Sequence, residues 1–367
     1  MANATLTPRR SQLTRGMMPS YTLWLVLAGS IVLGAALAAL VGFSLVPWTI
    51  FSAIIFVIAG TAVTAAIEGG RKARNRLALF LVYGSFIIAL LPLLSVIWTV
   101  LERGVPGLTY NFLFTSMNGV TGAIDNQTVE EGSPVLGGAY HAVIGTLQIT
   151  LWATLISVPV GLLAAIYLVE YSTGGRLARA ITFFVDVMTG IPSIVAGLFA
   201  AALFGQLFGP GTRTGFVAAV ALSVLMIPVV VRSTEEMLKI VPNELREASY
   251  ALGVRKWRTI TKVVIPTAIS GIASGVTLAI ARVIGETAPI LVTAGFASSI
   301  NWSVFGDWMS TLPTFIYYQI LTPTSPTATD PSTQRAWAAA LLLIIMVMLL
   351  NLVARLIARL FAPKTSR

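Results

Sequence analysis

The chain has 367 residues, of which 56% are hydrophobic and only 10% charged, with a formal net charge of +10. Soluble globular domains carry about 25% charged residues, so the composition excludes one and reads as a membrane protein with several spans. The absence of cysteine excludes disulfides and thiolate metal sites, and the single histidine, His141, excludes a cluster of histidine ligands.

Eight stretches reach the roughly 20 apolar residues that a span requires. They are Tyr21–Phe43, Trp48–Ile67, Leu77–Leu101, Ala142–Tyr171, Ala180–Phe208, Thr214–Val231, Thr267–Thr293 and Ala336–Leu360. Residues 1–20 precede them as a short basic tail expected in the cytoplasm. The first two spans, residues 21–67, form a transmembrane hairpin closed by Ser44–Pro47. Small residues at 35–39 after an apolar core also fit a cleaved signal sequence, although the apolar stretch runs past Phe43, longer than a usual signal core. The basic loop Glu68–Arg76 separates this hairpin from a transmembrane domain over residues 77–361.

The loop at 102–141 is Gly-rich and mildly acidic through Asp125, Glu130 and Glu131, and His141 at a span entrance reads as interfacial. Spans three to seven each contain an interior proline: Pro92, Pro159, Pro192, Pro228 and Pro289. Proline frees the carbonyl four residues back and kinks a helix, and membrane helices tolerate that where neighbours or a cavity satisfy the freed group. Asp186 in span five reads as a buried carboxylate near Thr182, Thr189 and Ser193. Local polar support of helix packing is the expectation for Asp186 and Ser193, with substrate contact as the alternative.

The loop at 232–266 carries Leu245, Ala248, Ala251 and Leu252 at helical spacing, bounded by Pro242 and ended by Gly253. A short amphipathic helix is expected to present the small residues Ala248, Ser249 and Ala251 to another surface. Burial in the headgroup layer, held by Arg255, Lys256, Trp257 and Arg258, is the alternative.

Span seven holds Arg282 and Glu286, a charged pair one helical turn apart. On a helical wheel they fall on the face of Gly271, Gly275 and Ala279, a close-packing stripe, so both point into a protein interface or a wet cavity. An intramembrane Arg costs roughly 2.5–3.5 kcal/mol even on the lenient scale, so it marks a function by default. One role is a salt bridge that holds the helix in register. The other is an anion path or gate, with Glu286 holding Arg282 until a substrate displaces it. The loop at 294–335 follows, with Trp302, Phe305, Trp308 and Phe315 as interfacial anchors or a docking surface.

Of the 24 Lys and Arg residues, only Arg103, Arg213 and Arg335 fall on the side opposite the N-terminus, Arg282 falls near the middle of a span, and Arg355 and Arg359 belong to the cytoplasmic end of the last one. The positive-inside rule then places both termini in the cytoplasm, and basic residues that flank spans give no reason to invoke nucleic acid.

Glu247-Ala-Ser249, Gly253 after three more residues, and the run Val263 to Pro266 after nine more resemble the EAA signature of ABC importer permeases, with mild changes at Ser249, Val263 and Ile265. The resemblance implies a six-helix type I importer core plus the extra hairpin, an all-α polytopic protein. It also implies that Glu247, Ala248, Ser249, Gly253, Ile265 and Pro266 serve ATPase coupling. Residues 281–289 (ARVIGETAP) and 189–198 (TGIPSIVAGL) resemble segments of the phosphate-carrying members of that family. Those members imply a second permease, two ATPases and an external phosphate-binding protein as partners. No G-x-x-x-x-G-K-[ST] phosphate loop is present. ATP and Mg are therefore expected on the partner ATPase, with no cofactor or metal on this chain and no enzyme activity of its own. An inner-membrane permease subunit of a phosphate importer is the leading expectation. A permease for another oxyanion or small solute, an ATP-independent channel or carrier, and a membrane enzyme are the alternatives.

Overall fold

The structure is a computed structural model that describes residues 18–361. Most of the basic tail at 1–20, and the basic residues at 364 and 367 used for orientation, lie outside the described residues. The described residues form helices α1 Thr22–Val41, α2 Leu45–Glu68, α3 Gly70–Gly104, α4 Tyr110–Phe114, α5 Gly122–Glu131, α6 Tyr140–Ile166, α7 Arg176–Thr189 and α8 Ser193–Phe208. They continue through α9 Gly215–Ile240, α10 Asn243–Ala251, α11 Lys256–Thr259, α12 Ile265–Val283, α13 Ala288–Thr293, α14 Leu312–Leu321 and α15 Asp330–Phe361. Wider π turns at Tyr167–Tyr171 and Ile260–Val264 extend α6 and join α11 to α12. Seven helices are long and apolar enough to cross a membrane, or eight with the bent pair α7 and α8 counted as one span.

Two compact units divide the described residues, one ending at Ile97 and the other beginning at Trp98. In the first, α1 and α2 pack as a tight hairpin. A Cβ on Gly34 would meet the Ser52 side chain at 2.2 Å, so only glycine permits that approach. Trp48 Nε1 donates to the Ile31 carbonyl, and Phe80 of α3 packs against Phe56 and Gly60 of α2. The basic residues expected in a loop after Glu68 instead occupy the first turns of α3, because that helix begins at Gly70.

In the second unit α9 is the central helix. Its residues Leu222, Met226 and Val230 meet Ile149 and Ala153 of α6, Ala279 and Val283 of α12, and Ile290 of α13. Small residues set the distances. Gly161 of α6 lies against Val230, and Gly271 and Gly275 of α12 lie against Met237 and Ser233 of α9. Gly145 approaches the Ser310 carbonyl so closely that a Cβ would stand 2.0 Å from it.

The interior prolines divide into two kinds. Pro92, Pro159 and Pro228 sit inside helices that continue through them. Pro192 and Pro289 follow breaks. The expected fifth span is therefore two helices, α7 and α8, bent by 110° at Gly190–Pro192. Proline offers no N–H there and disfavours the helical region for Ile191, while Gly190 adds backbone freedom. The expected seventh span also stops, at Val283, and helix resumes only at Ala288.

Candidate functional site

The EAA-like loop is less a loop than a folded bracket. After Ile240 the chain turns at Pro242 and forms α10, with Glu244 in its first turn where the helix dipole favours an acid. At the other end Gly253 takes φ +73°, and its N–H bonds to the Tyr250 carbonyl while Val254 N–H bonds to the Ser249 carbonyl. That pair of bonds is a Schellman cap, and its left-handed position favours glycine.

Arg246 holds the bracket to the body. Its guanidinium pairs with Glu170 at 2.7 Å and donates to the carbonyls of Leu238 (2.9 Å) and Val241 (2.6 Å). One side chain thus joins α10 to the end of α9 and to the turn that extends α6. Lys256 stands over the Tyr171 ring, 5.1 Å from its centre, and adds a second tie from α11.

Glu247 and Ala248 on α10 and Gly253 just after it are exposed, beside exposed Leu245, Tyr250 and Leu252. Ser249 differs from the sequence expectation. It is buried and hydrogen-bonded to the Thr259 hydroxyl at 2.8 Å, so it joins α10 to α11 and is not presented to a partner. Ile265 and Pro266 are half-buried where α12 starts. Pro266 has no N–H to give a helical bond, and the wider turn just before it absorbs that loss.

The charged segment is also rearranged. Gly271, Gly275 and Ala279 do pack against the core, but Arg282 is exposed in the last turn of α12. Glu286 is half-buried in the non-helical link before α13, and its N–H bonds to the Val283 carbonyl. The one-turn spacing on a continuous helix therefore does not exist. The break falls between the charges because Pro289 cannot bond the Gly285 carbonyl and Gly285 itself favours leaving the helix. No ion pair joins Arg282 to Glu286, and neither side chain has a hydrogen-bond partner among the described residues.

Asp186 is a further correction. It is exposed, with 60% of its side chain accessible, and pairs with Arg232 of α9, which also pairs with Glu235. Its turn of α7 exposes Phe183, Phe184 and Val187 as well, so the carboxylate is not buried. Ser193 begins α8, half-buried, and is not brought to Asp186 by any hydrogen bond among the described residues.

Two groups escaped the sequence reading, and a third was read as interfacial when it is buried. One is the Arg246–Glu170 clamp. Another is Arg335, buried on the face opposite α10, whose guanidinium grips Asp125 through two bonds of 3.0 and 2.5 Å. Arg335 also donates to Gln319, Thr324, Ser332 and the Leu136 carbonyl, and so ties α5, α14 and α15 together. The third is His141, buried against Phe315 with neither ring nitrogen hydrogen-bonded, so it is not interfacial.

Comparison with known proteins bears on this arrangement. The family model for the binding-protein-dependent transport system inner membrane component matches residues 157–367. The phosphate transport system permease protein PstA 1 of Mycobacterium tuberculosis (strain ATCC 25618 / H37Rv) is 46% identical over 287 residues, 78% of this chain and 88% of the relative. PstA of Mycobacterium leprae (strain TN) is 44% identical over 77% of this chain and 88% of the relative. PstA of Yersinia pestis is 36% identical over 81% of this chain and 93% of the relative.

Proposed function

We infer how this subunit works from one premise: the chain belongs to the binding-protein-dependent transport permeases and, within them, to the PstA phosphate permeases. It is a multi-pass inner-membrane permease subunit of a phosphate ABC importer. It works with other permease, ATPase and binding-protein subunits. In our reading these are a PstC-type permease, two PstB-type ATPases that use ATP and Mg, and a PstS-type external phosphate-binding protein. Both termini and α10 face the cytoplasm.

The observation that carries the coupling role is an exposed α10 locked rigidly to the body. Glu247, Ala248 and Gly253 supply the ATPase contact, while Ser249, Ile265 and Pro266 keep the bracket in shape. A push on α10 moves α9 and the end of α6 through Arg246. It also moves α12 through the Ser249–Thr259 bond. The helical run Lys256–Val283 has 28 residues, about 40 Å at 1.5 Å per residue, and carries the displacement to Arg282.

Arg282 and Glu286 form the substrate path or gate. An Arg left exposed on an isolated subunit, in a helix that crosses a membrane, needs a partner surface or water to face. Unpaired, its fork of N–H groups suits a phosphate oxyanion bidentately. Glu286, on the non-helical link between α12 and α13, turns toward or away from it in this reading. Asp186 supports the neighbouring bend only as a surface pair.

The chain has no cysteine, so Ala248→Cys introduces a single thiol. A thiol-to-amine cross-linker applied to the assembled importer should join it to the ATPase. Cross-linking that appears only with lipid would overturn the coupling role. For the gate, Arg282→Gln and Glu286→Gln should each depress phosphate uptake in correctly assembled complexes, and normal uptake in both would make the pair structural.

A further inference from the structure

A second cation, Arg355 of α15, lines a cleft that runs along α12 from Ser274 to Ala281, the neighbour of Arg282, and that the transport reading leaves unused. Ser274, Thr277, Leu278 and Ala281 of α12 and Asn351 and Arg355 of α15 line a half-open cleft of about 420 Å³. No acidic residue lines it, and Arg355 has no ion pair or hydrogen bond among the described residues. Cavities of some hundreds of Å³ with a few convergent polar groups are the usual form of small-ligand sites.

Ligand charge follows from the lining. Arg355 supplies a planar fork of donors, and Asn351, one turn earlier on the same helix, supplies an amide. Ser274 and Thr277 hydroxyls face them from α12. Both hydroxyls donate to the carbonyl one turn back, Ser270 at 2.9 Å and Ala273 at 2.7 Å, and rotation about one torsion turns either donor into the cleft. Donors outnumber acceptors, the single charge is positive and the cation is unpaired. The complementary ligand is an oxyanion with several acceptor atoms.

Position narrows it further. Ser274, Leu278 and Arg282 follow one another at four-residue steps on a continuous helix, so the cleft and Arg282 share a stripe of α12. Gly275, beside Ser274, packs on Ser233 of α9, next to the Arg232–Asp186 pair. The Ser274 end of the cleft is therefore level with the surface charges on the α10 side of the molecule, and Arg282 stands about 12 Å beyond Ser274 along α12 at 1.5 Å per residue, just past Ala281 at the cleft's other end. The Ser274 end is where a phospholipid headgroup sits, and also where an anion leaving along the Arg282 stripe would pass.

We propose that the Ser274–Thr277–Asn351–Arg355 cleft is a binding site for a phosphate group, held bidentately by Arg355. The group is either the headgroup phosphate of an anionic lipid or inorganic phosphate on its way inward. The inorganic-phosphate alternative rests on the path role assigned to Arg282, whereas the lipid alternative does not.

The test uses the complete importer with native chain, Arg355→Gln, Arg355→Lys, Asn351→Ala or Ser274→Ala, each checked for co-purification of all subunits. One arm counts phosphatidylglycerol retained per complex by native mass spectrometry after exchange into phosphatidylcholine nanodiscs. The other measures ATP-driven uptake of labelled inorganic phosphate in vesicles of phosphatidylcholine alone. If the occupant is a lipid headgroup, Arg355→Gln reduces retained phosphatidylglycerol about tenfold, and uptake in the lipid-free-of-charge vesicles matches the native chain. If the occupant is transported phosphate, that uptake falls about tenfold and lipid retention is unchanged. In either case Asn351→Ala and Ser274→Ala move the same readout in the same direction, and Arg355→Lys falls between. No change in either arm overturns the proposal. So does a loss confined to the Arg355 variants, because an Arg that merely anchors α15 at the interface has no need of Asn351 or Ser274.

Discussion

Replacing Arg246 with alanine removes the clamp that fixes α10, and the structure gives the size of the effect. The Glu170 side chain is 4% accessible and that of Arg246 13%. Removing one partner of such a pair leaves a charge stranded away from water, at a cost of about 3–5 kcal/mol. The lower end applies here because the pair sits at the edge of the body, so about 3 kcal/mol, or about a hundredfold shift in the docking equilibrium, is expected. The α10 helix has nine residues, too few to persist alone in water. Its amides should exchange with deuterium about a hundredfold faster in Arg246→Ala, while the amides of α9 around Met226 keep their protection. Phosphate uptake should fall with intact assembly. Adding Glu170→Gln removes the stranded charge and should restore part of the protection. The reasoning is refuted if α10 exchange is unchanged in the single variant, or if the double variant is no better protected than the single.

The same logic applies to Asp125 and Arg335, whose side chains are 0% and 1% accessible. Asp125→Asn should cost about 3 kcal/mol and sharply lower the thermal midpoint in detergent, and an unchanged midpoint would contradict the network drawn for Arg335. Asp186→Asn breaks a surface pair of an exposed carboxylate and a half-buried guanidinium, so stability should change by less than about 1 kcal/mol and the change should shrink in high salt. Gly145→Val pushes a side chain into the Ser310 carbonyl and should destabilise by at least about 1–3 kcal/mol in thermal unfolding, whereas a native-like midpoint would mean that the approach is loose.

Much of this arrangement is legible in the sequence because its causes are local. The EAA-like spacing fixes α10, the Gly253 turn and the start of α12. The Gly271–Gly275–Ala279 stripe shows which face of α12 meets α9. Hydropathy finds the spans, because an apolar helix is the form in which a backbone crosses lipid with its polar groups satisfied. The errors come from two sources. Proline can kink a helix or end it, and the residue alone does not say which. Pro228 is carried within α9, whereas Pro289 with Gly285 ends α12 and separates Arg282 from Glu286. Likewise Pro192 with Gly190 folds α7 away from α8, so averaging apolar character across both hid a helix that exposes Asp186. The second source is distance along the chain. Arg246 finds Glu170 across 76 residues and Arg335 finds Asp125 across 210, pairings with no local signature. Ser249 turned inward for a related reason. Its partner Thr259 lies ten residues on, beyond the cap at Gly253.

The most direct test of the central claim is uptake of labelled phosphate into vesicles that hold the complete importer, with and without ATP. It compares the native chain with one whose exposed α10 residues Glu247 and Ala248 are replaced by lysine and tryptophan. Uptake that requires ATP in the native complex and is lost in the altered one, with the permease pair still assembled, is the predicted result. Phosphate uptake that continues without ATP, or that is indifferent to the α10 surface, would contradict a permease driven through that helix.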